Sequence, residues 1–311
     1  MIYKVRVFFV FILILTITSC TRHLPKNDSI IIAVSIPPQA WFVSEIAGDK
    51  ASVLVIVPPG QNPHNYEPTP RQIQSLSSAD AWILSGTEFE IALRPRIESL
   101  FPDMLIISGT NGVNFRLLEA HDHDDDHGDH DHEHHVSYNV LNSALDHSSL
   151  IIDRHTWLGQ QPALILADHI FKILCLLDKE NEDYYFINYT EAVSRINSAF
   201  DKLREELAPL NGKSVFVYHP SFGYFFDEFG IIQEAVETGG KEPTPRQLND
   251  LIEKITAEKP AAIFVQTQFP VNAAKTIADT AGARVIELDP LAEDWLSNII
   301  FMGERLKELI N

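Results

Sequence analysis

Four scattered residues and one dense tract hold the ligand chemistry of this chain. His64 stands in PGQNPHNYEPTP (59–70), His155 in DRHTWLGQQPA (153–163), His219 in YHPSFGYFFDEFGI (218–231) and Asp289 in ELDPLAEDW (287–295). Three imidazoles and one carboxylate are the donors of a four-coordinate Zn2+ site. Imidazole also suits copper, iron and nickel, and a carboxylate leaves Mn2+ open. Such ligands bind only when unprotonated, so protons compete with the metal as the pH falls through about 6.5.

Residues 121–135 read HDHDDDHGDHDHEHH, with imidazoles at His121, His123, His127, His130, His132, His134 and His135. Every residue but the glycine can bind or titrate, and none can join a packed core. A stretch without apolar residues cannot offset the entropy of ordering itself, so a mobile loop is expected. Its imidazoles would take metal weakly and interchangeably, as a collector beside a tight site built from the four scattered residues. A loop serving solubility alone would need aspartates but no alternating histidines.

The elements that must position the ligands are short apolar runs separated by amphipathic stretches. Strands are expected at 30–35, 52–57, 81–86, 104–109, 214–219, 261–266 and 284–289. Runs apolar on both faces read as parallel strands covered by helices, an α/β architecture. In such folds ligands collect in loops beyond the carboxyl ends of strands. His64 follows SVLVIV, His219 ends SVFVYH, and Asp289 ends RVIELD; His155 precedes an apolar helical pattern. A lone loop histidine is usually solvated; joint placement at strand ends in both halves is what marks these, and it puts the ion in a cleft. His23, in a polar tether, and His169, in a helix, carry no such mark. His147 follows the tract closely enough to join it.

From Asp183 to Leu207 a single apolar stripe (Tyr189, Val193, Ile196, Phe200, Leu203, Leu207) recurs at spacings of three and four. This predicts one long helix crossing the molecule. The heptapeptide EPTPRQI (67–73) returns as EPTPRQL (242–248), each a capping box with proline at the first helical position and each leading toward a strand. The expected fold is therefore α/β in two lobes, each a mainly parallel four-stranded sheet flanked by helices, joined by one long connecting helix. The boundaries read as 30–182 for the N-terminal metal-binding lobe (with the His/Asp-rich loop at 119–135), 183–210 for the linking helix and 211–311 for the C-terminal lobe.

At 311 residues, 45% hydrophobic and 22% charged, the chain has material for two ordinary cores. A formal charge of −19 argues against a nucleic-acid partner. Lys4 and Arg6 precede an apolar run from Val7 to Leu15, and Ile17, Thr18 and Ser19 lead into Cys20. That reads as a signal peptide over 1–19, with Cys20 in a lipobox-like setting and 20–29 as a tether. Cys175, in IFKILCLLDK, then reads as core filling, and no disulfide is expected.

Taken in order, these motifs resemble the metal-binding solute-binding lipoproteins of ABC importers, the ZnuA/TroA-like cluster A-I family, over nearly the whole mature chain. PGQNPHNYEPTP is similar to the first histidine motif, DRHTWLGQQPA to the second, YHPSFGYFFDEFGI to the third and ELDPLAEDW to the terminal aspartate motif. The resemblance implies His64, His155, His219 and Asp289 as ligands. It further implies Zn2+ as transported ligand and an ABC permease with its ATPase as partners. Lipidated Cys20 would supply the membrane anchor of an extracytoplasmic monomer. Zinc-type members often carry a histidine- and acid-rich loop between the first two motifs. Arg154 stands where proline is common and Pro220 where aspartate is frequent; neither replaces a ligand. The expected function is high-affinity Zn2+ capture and delivery, without enzymatic chemistry. The alternatives are a Mn2+ or Fe2+ carrier of the same fold, a secreted zinc hydrolase, or a histidine-rich adhesin or metal-buffering lipoprotein without a transporter partner. No HExxH helix supports the hydrolase.

Overall fold

The computed structural model describes residues 30–118, 151–236, 262–268 and 282–310, with short stretches between 252 and 280. In the first lobe the strands are β1 (Ile30–Val34), β2 (Ala51–Val55), β3 (Ala81–Leu84) and β4 (Leu105–Ser108), all parallel in the order β2-β1-β3-β4. The connecting helices are α1 (Pro37–Ala47), α2 (Pro70–Ser75) and α3 (Glu88–Leu100). The apolar runs behave as expected of strands covered on both faces: all four residues of β3 are buried. Helix α2 starts on the anticipated capping box. Thr69 Oγ1 accepts from Gln72 N at 3.3 Å, and Gln72 Oε1 accepts from Thr69 N at 2.9 Å.

A two-residue antiparallel pair, β5 (Leu117–Leu118) and β6 (Ile151–Ile152), follows. It was not expected, because two residues carry no periodicity. Leu118 pairs with Ile151, so the two ends of the segment containing the histidine tract meet a few residues before His155. Helices α4 (Gln160–Leu177) and α5 (Glu182–Leu207) come next. At 26 residues α5 spans roughly 39 Å at about 1.5 Å per residue. It buries Ile196, Phe200, Leu203 and Leu207 of the predicted stripe, together with Tyr185, Ala192 and Ala199, while Tyr189 and Val193 are half-buried.

The second lobe repeats the topology of the first. Strands β7 (Ser214–Val217), β8 (Ile232–Ala235), β9 (Ala262–Gln266) and β10 (Arg284–Leu288) are parallel in the order β10-β9-β7-β8. Helix α6 (Gly223–Asp227) joins the first two, and α7 (Trp295–Lys307) follows the last. In both sheets the first strand is central, the second lies on one side and the third on the other. The two heptapeptides fall at corresponding places in the chain, between the second and third strands; the second copy lies outside the described residues. Strand β8 was missed because it reads Ile-Gln-Glu-Ala. An edge strand needs neither a full apolar run nor clean alternation.

Both lobes meet on α5. Trp295, at the start of α7, lies against Trp41 and Phe42 of α1 and Phe200 of α5, with ring centroids at 5.3, 4.7 and 6.4 Å. Its indole N–H donates to Trp157 O at 2.7 Å, and the Trp157 indole donates back to Pro290 O at 2.7 Å. Tyr224 adds a second tie: its hydroxyl accepts from Arg116 N and donates to Asp153 O.

Candidate metal centre

Three imidazoles converge where the lobes meet. His64 Nε2 lies 3.2 Å from His155 Nε2 and 3.1 Å from His219 Nε2, and the remaining pair is 3.4 Å apart. The residues are separated by 91, 155 and 64 positions in the chain, so only the fold brings them together.

Each ring is set by its own local device. His64 sits in a 3-10 turn, Pro63–Asn65, capped by Asn62, whose Oδ1 accepts from His64 N at 3.0 Å. His155 ends the loop after β6. His219 lies two residues past β7, where Gln266 at the end of β9 clamps it. Gln266 Oε1 accepts from His219 N at 3.2 Å, while its Nε2 donates to His219 O and to Ser221 Oγ. Strands β7 and β9 are the neighbours at which strand order reverses, the usual ligand-binding point of such a sheet.

Two carboxylates fix the tautomers. His64 Nδ1 donates to Glu88 Oε2 at 2.9 Å, and His155 Nδ1 donates to Asp153 Oδ1 at 2.9 Å. Asp153 Oδ1 also accepts from His155 N at 3.0 Å. Burial opposes ionisation of Glu88, but the hydrogen bond from His64, with the Arg154 guanidinium beside it, holds the carboxyl below its usual range. A group so depressed contributes its stabilisation above its unfolded pKa and loses it only as the pH falls through the lower folded value. The His64 anchor therefore persists through neutral and mildly acid solution. Arg154 reaches Glu88 Oε1 with Nε at 3.3 Å and Gly86 O with Nη1 at 2.8 Å. Gly86 has φ +88°, which only glycine adopts without strain, and its N–H donates to the buried Glu90 at 2.8 Å. That turn starts α3 and so places Glu88.

A neutral imidazole has one N–H. With Nδ1 committed to a carboxylate, His64 and His155 present bare Nε2 lone pairs to each other, which is repulsive until a cation lies between them. Tetrahedral Zn–N bonds of about 2.0–2.1 Å put ligand nitrogens about 3.3 Å apart. The observed 3.1–3.4 Å is that spacing. The cavity among the rings is about 20 Å3, room for one ion or water. His155 and His219 are 5% exposed, while the His64 side chain is 26% exposed.

Among the described residues the metal-ligand group is His64, His155 and His219. Asp289, expected as the fourth member, stands outside it. Its Oδ1 accepts from Gln268 Nε2 at 2.6 Å and from Leu291 N at 2.9 Å, and these bonds hold it. His169 lies in α4 and is not in the group. Cys20, His23, His147 and the seven imidazoles of 121–135 lie outside the described residues. The sequence reading overlooked Glu88, Asp153, Gln266 and Gln268. Asp153, two residues before His155, had a local signal; the others had none.

A family profile described as zinc-uptake complex component A, periplasmic (ZnuA), matches residues 32–308. The chain belongs to the ZnuA family. A crystal structure of ZnuA superposes with a TM-score of 0.79 at 31% identity, covering 91% of this chain and all of the other. The high-affinity zinc uptake system protein ZnuA of Yersinia pestis is 27% identical over 84% of this chain and 82% of its own length. The iron ABC transporter substrate-binding lipoprotein MtsA of Streptococcus pyogenes is 25% identical over 88% and 83%. This ZnuA-family chain is thus an extracytoplasmic, metal-binding solute-binding protein of an ABC importer rather than an enzyme, with a three-histidine site for a divalent ion.

Within that site the carboxylate partners tune ligation. Asp153→Asn is expected to weaken metal binding by about 10–100-fold, since the amide can no longer hold the His155 tautomer as a carboxylate does. Chelator-competition titration measures this, and an unchanged affinity would leave Asp153 as a structural residue only.

Proposed function

We propose that this protein captures Zn2+ outside the cytoplasm and hands it to an ABC permease driven by a cytoplasmic ATPase. His64, His155 and His219 act as ligands. Asp289 is a carboxylate of the neighbouring wall, available as a fourth ligand once its bond to Gln268 is broken. Cys20 carries the lipid that keeps the protein at a membrane, and residues 121–135 collect ions near the cleft. The observation that carries the reading is the meeting of three Nε2 atoms at 3.1–3.4 Å around an ion-sized cavity. An all-imidazole group favours zinc over the oxygen-preferring Mn2+, and a relative named for zinc uptake supports the same choice. A second reading, an Fe2+ or Mn2+ carrier, has its own support in the similarity to a lipoprotein named for iron.

Elemental analysis of protein purified without added metal, followed by competition among Zn2+, Mn2+ and Fe2+, separates the two. About one tightly held Zn2+ per chain, retained against the other ions, is the expected result. Displacement of zinc by iron or manganese at comparable concentration would favour the second reading. Deleting 121–135 should keep the tight ion and remove the weak ones. Loss of the tight ion on that deletion would reverse the two roles.

A further inference from the structure

Asp153, which fixes the His155 ring, is itself held from its other side. The carboxylate is fully buried, and Oδ1 takes both the ring and the backbone N–H of His155. Its Oδ2 faces Arg116 Nη1 at 3.4 Å. A buried carboxylate stays ionised only when charged or hydrogen-bonding partners replace its water. Arg116 is in turn gripped by one short helix of the second lobe, α6. Its Nε donates to Asp227 Oδ2 at 2.9 Å, and its backbone N–H donates to the Tyr224 hydroxyl at 2.8 Å. Gly223 opens that helix, and a side chain there would run into the Arg116 guanidinium. Its φ is not positive, so this glycine provides space rather than an unusual backbone. Gly223, Tyr224 and Asp227 thus converge on one arginine of the first lobe. Only residues 220–222 separate α6 from His219, so the grip on Arg116 and the third imidazole share one stretch of chain.

We propose that Arg116 is a positioning residue for the metal site, which steadies Asp153 behind His155 while Asp227 of the second lobe steadies Arg116. The chain Asp227–Arg116–Asp153–His155 makes the hold on one ligand conditional on contact between the lobes. With α6 in place the His155 ring is fixed for the ion; with α6 displaced, Asp153 loses its cation and the ring loosens. The guanidinium suits this role because Nε and Nη1 are two donors in one rigid plane, each aimed at a different carboxylate. A lysine ammonium on its flexible stem cannot copy that fork. The inference rests on His155 being a ligand, and it adds a residue that acts on that ligand through another.

The test compares Arg116→Lys, Arg116→Gln, Asp227→Asn and the double variant Arg116→Lys with Asp227→Asn, all in the full-length chain. Zn2+ affinity comes from chelator competition, the release rate from mixing loaded protein with excess chelator, and stability from the melting temperature without metal. Both Arg116 variants should bind Zn2+ about tenfold more weakly, lysine failing to rescue. Loss of a positive charge near a cation would by itself favour binding, so weakening in Arg116→Gln reports the lost hold and not the lost charge. Asp227→Asn lies one link further out and should weaken binding about threefold, with faster release. The double variant should bind no more weakly than Arg116→Lys alone, because the chain is already cut. A tie that only stabilises the fold would lower the melting temperature and leave the affinity of the folded protein as it was. Unchanged Zn2+ affinity in the Arg116 variants would therefore overturn the proposal. So would additive losses in the double variant, since Asp227 would then act without Arg116. Failure of the broader reading looks different: native protein that binds no zinc, or binds it undiminished after His155→Ala.

Discussion

His219→Ala is expected to lower zinc affinity by about a thousandfold. Zinc held by four protein-type ligands is bound with about 10–16 kcal/mol, so one ligand contributes roughly 3–4 kcal/mol, and each 1.4 kcal/mol is tenfold. The fold has little reason to suffer. The clamp from Gln266 grips the backbone N–H and carbonyl of residue 219, which alanine keeps. Competition titration against a chelator of known affinity gives the number, and circular dichroism checks that the helices remain. A change smaller than about tenfold would mean that His219 is not a ligand and that the cavity holds its ion otherwise.

Trp295→Ala is expected to be the most destabilising single change at the seam between the lobes, costing about 3–5 kcal/mol. The indole is 1% exposed and touches three aromatic rings drawn from α1 and α5. Its removal leaves a cavity on the axis where both lobes lean on the long helix. It also strips the donor from Trp157 O, two residues beyond His155. In a chain of this size the loss should lower the melting temperature of metal-free protein by on the order of 10 °C. Zinc at a thousandfold excess over its dissociation constant should return about 4 kcal/mol, because only the folded state has the site. Thermal scans with and without zinc test both parts. A shift below about 3 °C in the metal-free protein would show that the aromatic cluster is not what joins the lobes.

What could be read from the chain alone was what near neighbours decide. The β-rich runs at 30–34 and 262–266, the stripe along α5 and the box at Thr69 and Gln72 each depend on residues within a turn or a pleat of one another. Their patterns are printed in consecutive letters. The order of four motifs likewise pointed to His64, His155 and His219 before any distance was known. Ends of elements were less legible: β7 stops at Val217, two residues before His219, and Asp289 lies just past β10, because strand ends follow the partner's hydrogen bonds as well as the strand's own residues. Edge strand β8 and the short β5–β6 pair form only because a partner strand offers its backbone, so their own letters are mute.

Tertiary structure alone decided the rest. Glu88 reaches His64 across 24 positions, and Gln266 reaches His219 across 47. Nothing in the local sequence distinguishes these side chains from others of their type on the surface. Asp289 is the sharpest instance. Gln268, 21 residues earlier, donates to its carboxylate at 2.6 Å, a contact that its motif does not announce. A residue's type sets what it is able to bind; which of the available partners it does bind is a matter of distance in space, and that is set by how the two sheets and the long helix pack.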